Sequence, residues 1–352
     1  MPVDVVHRAS TLHEEGNCMA GVIGRQSGSP RAFGSLFDGI RDDMVRVEEL
    51  LRSQLRSADP YVDQLVKHGF RLGGKRLRPA LLLLAGVAVG SIGSAHITLA
   101  VVMEMIHTAT LIHDDVLDEA ALRRHLDTVN ARWGNKSGVL LGDFLFSHAF
   151  YLAATTDDAY ACRLIGRSTN IVCEGEMRQI NSRGRLDLPE SEYYEIIDAK
   201  TAELCACCCR LGAHFAGATA AQEDALERYG RNLGIAFQIV DDLLDLEGDE
   251  AVTGKSLGTD LEQLKPTLPL IRLLNQLSPP DRGALQTALT SATAERRAIL
   301  EPWLARTDGL IYARNEARKF AAMAQQDLEE IPPGPHRDVL HRLAEGVVSR
   351  NV

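Results

Sequence analysis

Two short acidic runs contain the residues whose types and spacing are best suited to chemistry. Both have the pattern DDxxD after an apolar stretch, and their aspartates are Asp114, Asp115, Asp118, Asp241, Asp242 and Asp245. On a helix, the first and last aspartates of each run lie one turn apart and point in the same direction. Crowded carboxylates repel one another unless a cation neutralises them, and ligands that are all oxygen suit Mg²⁺. One such run also fits a solvated helix face, whereas two runs favour magnesium ions held between two helices.

Basic residues cluster beside both acidic runs, although the formal net charge of the chain is −10. They are Lys75, Arg76 and Arg78 after a glycine pair, Arg123 and Arg124 past the first run, Lys200 in a helical segment, and Lys255 and Lys265 past the second run. Arginine binds phosphate oxygens with a planar fork and lysine binds them as a point charge. Each cation taken singly, Lys265 above all, fits an ordinary surface charge. Together they predict two diphosphate sites, one bridged by metal and one held by basic residues.

The overall composition argues against several classes of function. The negative net charge predicts no general attraction to nucleic acid or to an anionic membrane. The longest apolar run, at 80–89, is about half as long as a membrane-spanning helix, and the polar first residues resemble no targeting signal. The cysteines lack the spacing of a zinc site, and the four at 205–209 fit a packed helix better than a metal or redox site. We therefore expect a cytoplasmic protein without a transmembrane segment.

The elements that must position these residues are all predicted to be helices. Leu, Ala, Val and Ile dominate the apolar residues, and aromatic residues make up only 5% of the chain. Helical patterns follow one another with short turns between them, whereas residues 1–34 are aperiodic and predict a flexible extension. We predict an all-α fold with one domain at 35–352, a single large helical bundle with a central cavity between the two Asp-rich helices.

Eight segments match, in order, the motifs of a known family. They are GGKRLRP (73–79), HTATLIHDDVLDEAALRR (107–124), NARWGN (130–135), GDFLF (142–146), EGEMRQI (174–180), AKTAEL (199–204), FQIVDDLLD (237–245) and GKSLGTDL (254–261). From about Ser35 to its end, the chain resembles the trans-polyprenyl diphosphate synthases. The resemblance implies the isoprenoid synthase fold, a homodimer, three Mg²⁺ ions per site, and condensation of isopentenyl diphosphate with an allylic diphosphate such as farnesyl diphosphate.

The resemblance also implies a role for each matching residue. The residues expected to hold isopentenyl diphosphate are Lys75, Arg78, His107 and Arg124. Those expected to coordinate metal are Asp114, Asp118 and Asp241, with Asp115, Asp242 and Asp245 in support. Those expected around the allylic diphosphate are Arg123, Lys200, Thr201, Gln238, Lys255 and Lys265. Catalysis is expected to depend on Asp114, Asp115, Asp118, Asp241 and Asp242 together with Arg123 and Lys200. His107 also fits a buried, hydrogen-bonded helix histidine.

One stretch departs from the family pattern. A Gly-x-Pro-Thr-like turn usually follows the arginine pair, whereas this chain has His125, Leu126, Asp127 and Thr128 there. We expect a changed loop with an added carboxylate near the diphosphate site, and a retained activity, because both arginines and both acidic runs remain.

Small side chains precede the first acidic run at the positions that limit product length in the family. Members that stop at farnesyl or geranylgeranyl length carry an aromatic residue there, whereas this chain has Ala109 and Thr110, followed by Ile106 and Met103. Met103 lies roughly 16 Å along the helix from the start of the run. The resemblance therefore implies a product of hexaprenyl to decaprenyl length, centrally octaprenyl, for quinone side chains. Alternatively, Ala109 is small because another helix packs there, and length is set elsewhere, for example by Phe146.

Other functions remain open on the sequence alone. A terpene cyclase shares the fold, but it usually lacks the second aspartate run and needs no GGKRLRP site. A shorter-chain synthase keeps all of the motifs. A non-catalytic subunit of a heteromeric synthase commonly loses one or both acidic runs, and a diphosphatase needs a water-activating residue that we do not identify here.

Overall fold

The computed structural model describes residues 36–74, 76–248, 258–292 and 295–349 of the chain. Three of the expectations above concern residues outside these ranges, namely the flexible extension at 1–34 and the substrate-binding roles of Lys75 and Lys255. Helices dominate the described residues, which contain one pair of very short strands. The predicted all-α bundle is confirmed.

The helices follow one another with short turns between them, as the sequence pattern predicts. They are α1 (Arg41–Gln54), α2 (Pro60–Arg71), α3 (Leu77–Val89), α4 (Ser94–Leu117), α5 (Val129–Trp133), α6 (Asn135–Ala154), α7 (Ala159–Ser182), α8 (Glu190–Ile197), α9 (Glu203–Phe215), α10 (Ala220–Glu247), α11 (Thr259–Glu262), α12 (Leu268–Gln276), α13 (Pro279–Ser291), α14 (Arg296–Leu304), α15 (Gly309–Asp327) and α16 (Pro335–Val348). Strands β1 (Leu122–Arg123) and β2 (Leu126–Asp127) form an antiparallel hairpin after α4. A π-helical turn, Asp198–Ala202, joins α8 to α9.

Four apolar helices form the centre of the bundle. α3 packs on α4 and on α9, and α9 packs on α10, while α6 covers α4 and α15 covers α10. The four leucines at 81–84 of α3 are completely buried. A Cβ built on Gly212 of α9 would lie 2.0 Å from the Leu82 carbonyl oxygen, so only glycine lets the backbones of α9 and α3 meet this closely. The helices that carry the acidic runs, α4 and α10, are thereby held apart by α3 and α9.

Both acidic runs lie at the C-terminal ends of their helices. α4 ends at Leu117 with Asp118 as its C-cap, and the run at 241–245 lies in the last turns of α10. The C-terminus of a helix carries a partial negative charge, which adds to the repulsion between neighbouring carboxylates. Each run therefore needs positive neighbours to be stable.

Two helices, α4 and α6, are long and apolar enough to cross a membrane by length and composition, which the prediction of no transmembrane segment did not anticipate. The most apolar part of α4 is 72% buried inside the protein, whereas that of α6 is only 39% buried. α4 is therefore a core helix, while α6 keeps an apolar face at the surface. Leu140 and Tyr151 lie on that face and are 67% and 65% exposed.

The cysteine cluster of α9 is a packing feature. Its members, Cys205, Cys207, Cys208 and Cys209, are buried free thiols. Burial raises the pKa of the Cys208 and Cys209 thiols well above its ordinary value, so they stay protonated and unreactive.

Candidate active site

Lys200 brings positive charge to the first acidic run. Its Nζ lies 3.7 Å from Asp114 Oδ2, forms an ion pair with Glu176 and donates to Gln179 Oε1 at 2.7 Å. Burial raises the pKa of Asp114 to about 6, although Lys200 acts to lower it, and the nearby Glu176 carboxylate adds to the rise. The lysine therefore offsets only part of the cost of burying this carboxylate.

Close backbone contacts hold Lys200 in place. It lies in the π-helical turn, where the Glu203 N–H bonds to the Asp198 carbonyl oxygen. A Cβ built on Gly175 of α7 would lie 2.7 Å from the Lys200 backbone nitrogen, and one built on Gly234 of α10 would lie 2.5 Å from the Cα of Ala202. The turn is therefore packed tightly between α7 and α10, because a side chain in place of either glycine would displace the backbone of the turn.

Asp115 and Asp118 have cationic partners of their own. Arg123 Nε donates to both oxygens of the buried Asp115 carboxylate, at 2.8 and 3.0 Å. Arg183 Nη2 donates to Asp118 Oδ1 at 2.5 Å, and Lys265 Nζ lies 3.3 Å from Asp118 Oδ2. Two of the residues predicted to bind the allylic diphosphate, Arg123 and Lys265, therefore lie at the first run, and Arg183 joins them.

A chain of hydrogen bonds supports the second acidic run. Thr201 Oγ1 donates to Gln238 Oε1, Gln238 Nε2 donates to Asp242 Oδ1, and Tyr193 OH donates to Asp242 Oδ2, each at 2.7 Å. Burial, followed by the nearby Asp260 carboxylate, raises the pKa of Asp242 well above its usual range. Asp242 is buried, whereas its neighbour Asp241 is partly exposed, so Asp241 is the better placed of the two to reach a bound ion.

The carboxylate of Asp245 binds the backbone of the following segment. Its Oδ1 accepts from the Thr259 hydroxyl at 3.0 Å and its Oδ2 from the Asp260 N–H at 3.1 Å. Burial, followed by the Asp260 carboxylate, raises the pKa of Asp245 to about 6. Asp245 thus fastens the start of α11 to α10, a role that the sequence did not predict, and its support of a metal ion stays a prediction.

A second group of predicted residues lies where α3 begins. Arg124 Nη1 donates to the Gly73 carbonyl oxygen, and a Cβ built on Gly74 would lie 3.6 Å from Arg124 Nη2 and 3.7 Å from His107 Nε2. Burial, followed by the charge of Arg78, lowers the pKa of His107 well below its ordinary value, so the imidazole is neutral at neutral pH. The Nε atom of Arg78 is buried and has no hydrogen-bond partner among the described residues. A diphosphate would supply the missing acceptor.

The loop that departs from the family pattern forms a two-residue hairpin turn. Arg124 and His125 both have positive φ, 53° and 62° respectively, as a primed turn between β1 and β2 requires. The His68 ring nitrogen lies 2.7 Å from the backbone oxygen of Asp127, which fixes the far side of the hairpin. The expected change of loop is therefore a tight turn that aims Arg123 and Arg124 to different partners.

The chemistry of the acidic runs fits a magnesium site. Among the residues described here, no three His, Cys, Asp or Glu side chains already converge as metal ligands. The available donors are carboxylate oxygens, which Mg²⁺ prefers. Burial and neighbouring carboxylates raise the pKa of Asp114 more than Lys200 and Arg123 lower it. Burial with the Asp260 carboxylate raises the pKa of Asp245. A divalent cation with a bound diphosphate would compensate the charge of these carboxylates.

A family model described as polyprenyl synthetase matches residues 59–303. The chain belongs to the polyprenyl synthetase family. Octaprenyl diphosphate synthase of Escherichia coli K12 is 37% identical over 312 residues, which cover 88% of this chain and 96% of that protein. Geranylgeranyl diphosphate synthase of Methanosarcina mazei is 34% identical over 284 residues, which cover 79% and 86%. The predicted family and enzyme class are confirmed, and the protein is a prenyl diphosphate synthase.

A solved structure agrees with this membership. The crystal structure of a polyprenyl synthase from Caulobacter crescentus CB15, complexed with calcium and isoprenyl diphosphate, has a TM-score of 0.86 and 35% identity. The match covers 94% of this chain and 100% of that one.

The residues predicted to line the product tail lie in the core. Ala109, Ile106 and Met103 are at most 1% exposed, while Thr110 is partly exposed and donates to the His107 carbonyl oxygen. A cavity of about 750 Å³ lies beside the first acidic run, on the side of α6 and α7, and its lining includes His113, Asp143, Phe146, Asn170 and Cys173. The rings of His113 and Phe146 stack at a centroid distance of 6.0 Å. Phe146 therefore lies beside His113, the residue that directly precedes the first acidic run.

Several supporting residues were missed in the sequence. Glu176 and Gln179 lie within the matching segment EGEMRQI, and their spacing of three on a helix indicates one face, so they could have been paired with Lys200. Tyr193 and Arg183 carry no comparable pattern. Their contacts with Asp242 and Asp118 depend on how the chain returns between α7 and α9.

Proposed function

We propose that this synthase condenses isopentenyl diphosphate with an allylic diphosphate, farnesyl diphosphate or similar, to give a long all-trans product. The central length is octaprenyl, and the product serves as a quinone side chain. The observation that carries the proposal is the convergence of Arg123, Lys200 and Lys265 on one acidic run, opposite a second run of the same pattern. This arrangement suits a diphosphate that leaves as its carbon–oxygen bond breaks.

The side chains of the site are proposed to stabilise the charge of the leaving diphosphate and to exclude water from the allylic cation. Lys200 and Arg123 stabilise the negative charge that develops on the leaving diphosphate. Bound Mg²⁺, proposed as three ions at Asp114, Asp118 and Asp241, would neutralise the same oxygens. The apolar residues behind the run keep water away from the allylic cation, which would otherwise be hydrolysed. Because no side chain among the described residues is an evident general base, the released diphosphate is proposed to take the proton after carbon–carbon bond formation.

Isopentenyl diphosphate is proposed to bind at the second basic group. The buried Nε of Arg78, without a partner among the described residues, and the neutral His107 beside Arg124 both suit an anionic ligand. The neutral imidazole keeps one N–H that can donate to a phosphate oxygen without adding charge. Lys75, which belongs to the same GGKRLRP segment, is proposed to share this role.

The proposed length rests on the small side chain of Ala109. Ala109 carries only a methyl group where the shorter-chain members of the family carry an aromatic ring, and the apolar Ile106 and Met103 follow it along α4. The relative named as an octaprenyl synthase favours this length, whereas the relative named as a geranylgeranyl synthase favours the shorter-chain alternative. Phe146 is the second candidate for the residue that ends the path.

A homodimer is proposed from the exposed apolar face of α6. Leu140 and Tyr151 lie along one stripe of this helix, and Met177 of α7 is 61% exposed. A second copy of the same chain is proposed as the occupant, because large apolar side chains stand exposed on this face beside the polar Asp143 and Ser147, and because the family resemblance implies a homodimer. The dimer would act in the cytoplasm on soluble diphosphates and release a lipid-like product.

One assay separates the candidate functions. Purified protein is incubated with farnesyl diphosphate and labelled isopentenyl diphosphate, with Mg²⁺ or with excess chelator, and the extracted products are sized by chromatography. We expect octaprenyl-length product with Mg²⁺ and none with chelator. Products that stop at geranylgeranyl length support the shorter-chain alternative. A protein that turns over only after a second subunit is added is a non-catalytic partner, and turnover in chelator contradicts the metal role.

A further inference from the structure

Arg183 occupies a position at the first acidic run that no sequence motif assigns. Its Nη2 donates to Asp118 Oδ1 at 2.5 Å, while Lys265 Nζ lies 3.3 Å from the other oxygen, Oδ2. Lys265 also lies 3.3 Å from Asp260 Oδ1. The guanidinium and the ammonium thus approach one carboxylate from two sides.

The backbone holds Arg183 in this place. Arg183 is the C-cap of α7, and the next residue, Gly184, has a φ of +76°, which turns the chain sharply. The Gly184 N–H donates to the Leu264 carbonyl oxygen at 2.9 Å, directly before Lys265. One backbone hydrogen bond therefore joins the two segments that carry the two cations, so Arg183 and Lys265 face Asp118 together.

The guanidinium of Arg183 has a donor to spare. Its Nε is buried and has no hydrogen-bond acceptor within the part of the chain that the structure describes. Arg78, which is proposed to bind the other diphosphate, has the same property. An arginine fork donates in parallel to two oxygens of one phosphate, and a single carboxylate contact leaves that capacity unused.

We infer that Arg183 is a further ligand of the allylic diphosphate. This inference rests on the proposed function, since it takes Asp118 as a metal ligand. Without ligands, the guanidinium pairs with Asp118. When a metal ion neutralises Asp118 and a diphosphate is bound beside it, the attraction of the carboxylate for Arg183 falls, and Nη2 and Nε donate to diphosphate oxygens instead.

Two opposite consequences follow from this exchange of partners. In the absence of diphosphate, Arg183 competes with a divalent cation for Asp118 and weakens the binding of that cation. In the presence of both, Arg183 adds a charge-assisted contact to the diphosphate and strengthens its binding. A residue that only stabilises the fold would move both affinities in the same direction.

The test compares Arg183→Gln and Arg183→Lys with the wild-type protein. Arg185→Gln is the matched control, because Arg185 lies on the same turn but pairs with Glu192. Binding of Mn²⁺ alone is measured by electron paramagnetic resonance of the free ion, and binding of inorganic diphosphate at saturating Mg²⁺ by calorimetry. For Arg183→Gln we expect Mn²⁺ to bind several-fold more tightly and diphosphate to bind roughly tenfold more weakly.

Kinetics supply a second readout. Arg183→Gln should raise the KM for the allylic diphosphate and leave the KM for isopentenyl diphosphate unchanged, with Arg183→Lys in between and Arg185→Gln like the wild type. Unchanged affinities in Arg183→Gln, or weaker binding of both ligands with a lower melting temperature, would overturn the inference. The binding measurements need no turnover. If the wild type is inactive but Arg183→Gln still binds Mn²⁺ more tightly and diphosphate more weakly than the wild type, the proposed function is contradicted and the role of Arg183 is supported.

Discussion

Asp114 is a partly buried carboxylate whose charge destabilises the metal-free fold. Its pKa is raised to about 6 in the folded protein, from an ordinary value of 3.8. The folded state therefore binds more protons than the unfolded state between about pH 4 and pH 6, so this group's contribution to stability falls as the pH rises through that window. We expect Asp114→Asn, without metal, to be more stable than the wild type by about 1–2 kcal/mol at pH 7 and equally stable below pH 4.

Urea unfolding at pH 4 and pH 7 checks this expectation, with the exposed Asp187→Asn as the control. The same Asp114→Asn protein should lose several orders of magnitude in turnover with Mg²⁺ present. If Asp114→Asn keeps its turnover, Asp114 takes no part in the reaction. If Asp114→Asn is less stable than the wild type at pH 7, the charge of Asp114 is better compensated by its neighbours than the geometry indicates.

Arg78 should matter for one substrate only. A lost charge-assisted contact is worth roughly 1.5–3 kcal/mol, or about tenfold to a hundredfold in affinity. We expect Arg78→Ala to raise the KM for isopentenyl diphosphate by this factor and to leave the KM for the allylic substrate almost unchanged. Steady-state kinetics with each substrate varied in turn would show whether the two diphosphate sites have been assigned in reverse.

The sequence indicates candidate site residues better than it indicates their partners. The two acidic runs could be read from residue type and spacing, because helical neighbours are fixed by local geometry, while Lys200 and Arg123 are assigned through the resemblance to the family. Tyr193 and Arg183 could not, since their contacts with Asp242 and Asp118 span 49 and 65 residues of chain. Only the packed bundle brings such residues together.

At the scale of the elements, the position of Lys200 depends on a glycine of another helix. Gly175→Ala would place a Cβ 2.7 Å from the Lys200 backbone nitrogen, so the π-helical turn must shift. A Cβ on Gly166, in the same helix, meets only a Phe150 ring atom at 3.9 Å. We expect Gly175→Ala to lower both stability and turnover, and Gly166→Ala to raise stability by roughly 0.5–1 kcal/mol with turnover unchanged.

Thermal unfolding and single-turnover rates on the two variants test this pair. If Gly175→Ala and Gly166→Ala have equal stability and equal turnover, Gly175 does not hold the π-helical turn in place. If Gly175→Ala is as stable as the wild type but turns over more slowly, the substitution acts by displacing Lys200.

The helices could be predicted from the sequence, whereas the turns that orient the side chains of the site could not. The apolar stretches before the two acidic runs predict helices there, which are α4 and α10, because such patterns depend on nearby residues. The β1–β2 hairpin requires positive φ at Arg124 and at His125, two residues that rarely adopt it, so sequence pattern alone would not suggest a tight turn there. Similarly, the π-helical turn lies in close contact with Gly175 of α7 and Gly234 of α10, which are distant from it in sequence.

At the scale of the whole molecule, the tail path should decide product length. If the tail passes Ala109, then Ala109→Phe blocks it and gives markedly shorter products with the diphosphate chemistry preserved. Phe146→Ala is the complementary variant, which should lengthen the product only if Phe146 ends the path. Chromatographic sizing of both product sets distinguishes the two residues, and an unchanged spectrum in a folded, active Ala109→Phe protein would defeat its assignment.

The apolar face of α6 should determine whether the protein is a monomer or a dimer. Leu140→Asp adds a charge that costs little on a solvent-exposed surface but is expensive within an interface. We expect this variant to be monomeric while the wild type is dimeric, as measured by analytical ultracentrifugation. Ile311→Asp on α15, where the side chain is 60% exposed, is the control and should leave the dimer intact. A monomeric wild type would contradict the proposed interface.

The π-helical turn makes the site sensitive to chain length in a way that composition does not reveal. A turn closed by the bond from the Glu203 N–H to the Asp198 carbonyl contains one residue more than an ordinary helical turn. Deleting Ala199 would remove the extra residue and close the turn to a regular helix, with α8 and α9 still in line. The backbone positions of Lys200 and Thr201 would then shift, and with them the contacts of Lys200 with Asp114 and of Thr201 with Gln238, although neither acidic run had changed. A loss of one codon in this stretch should therefore be far more damaging than most substitutions within it.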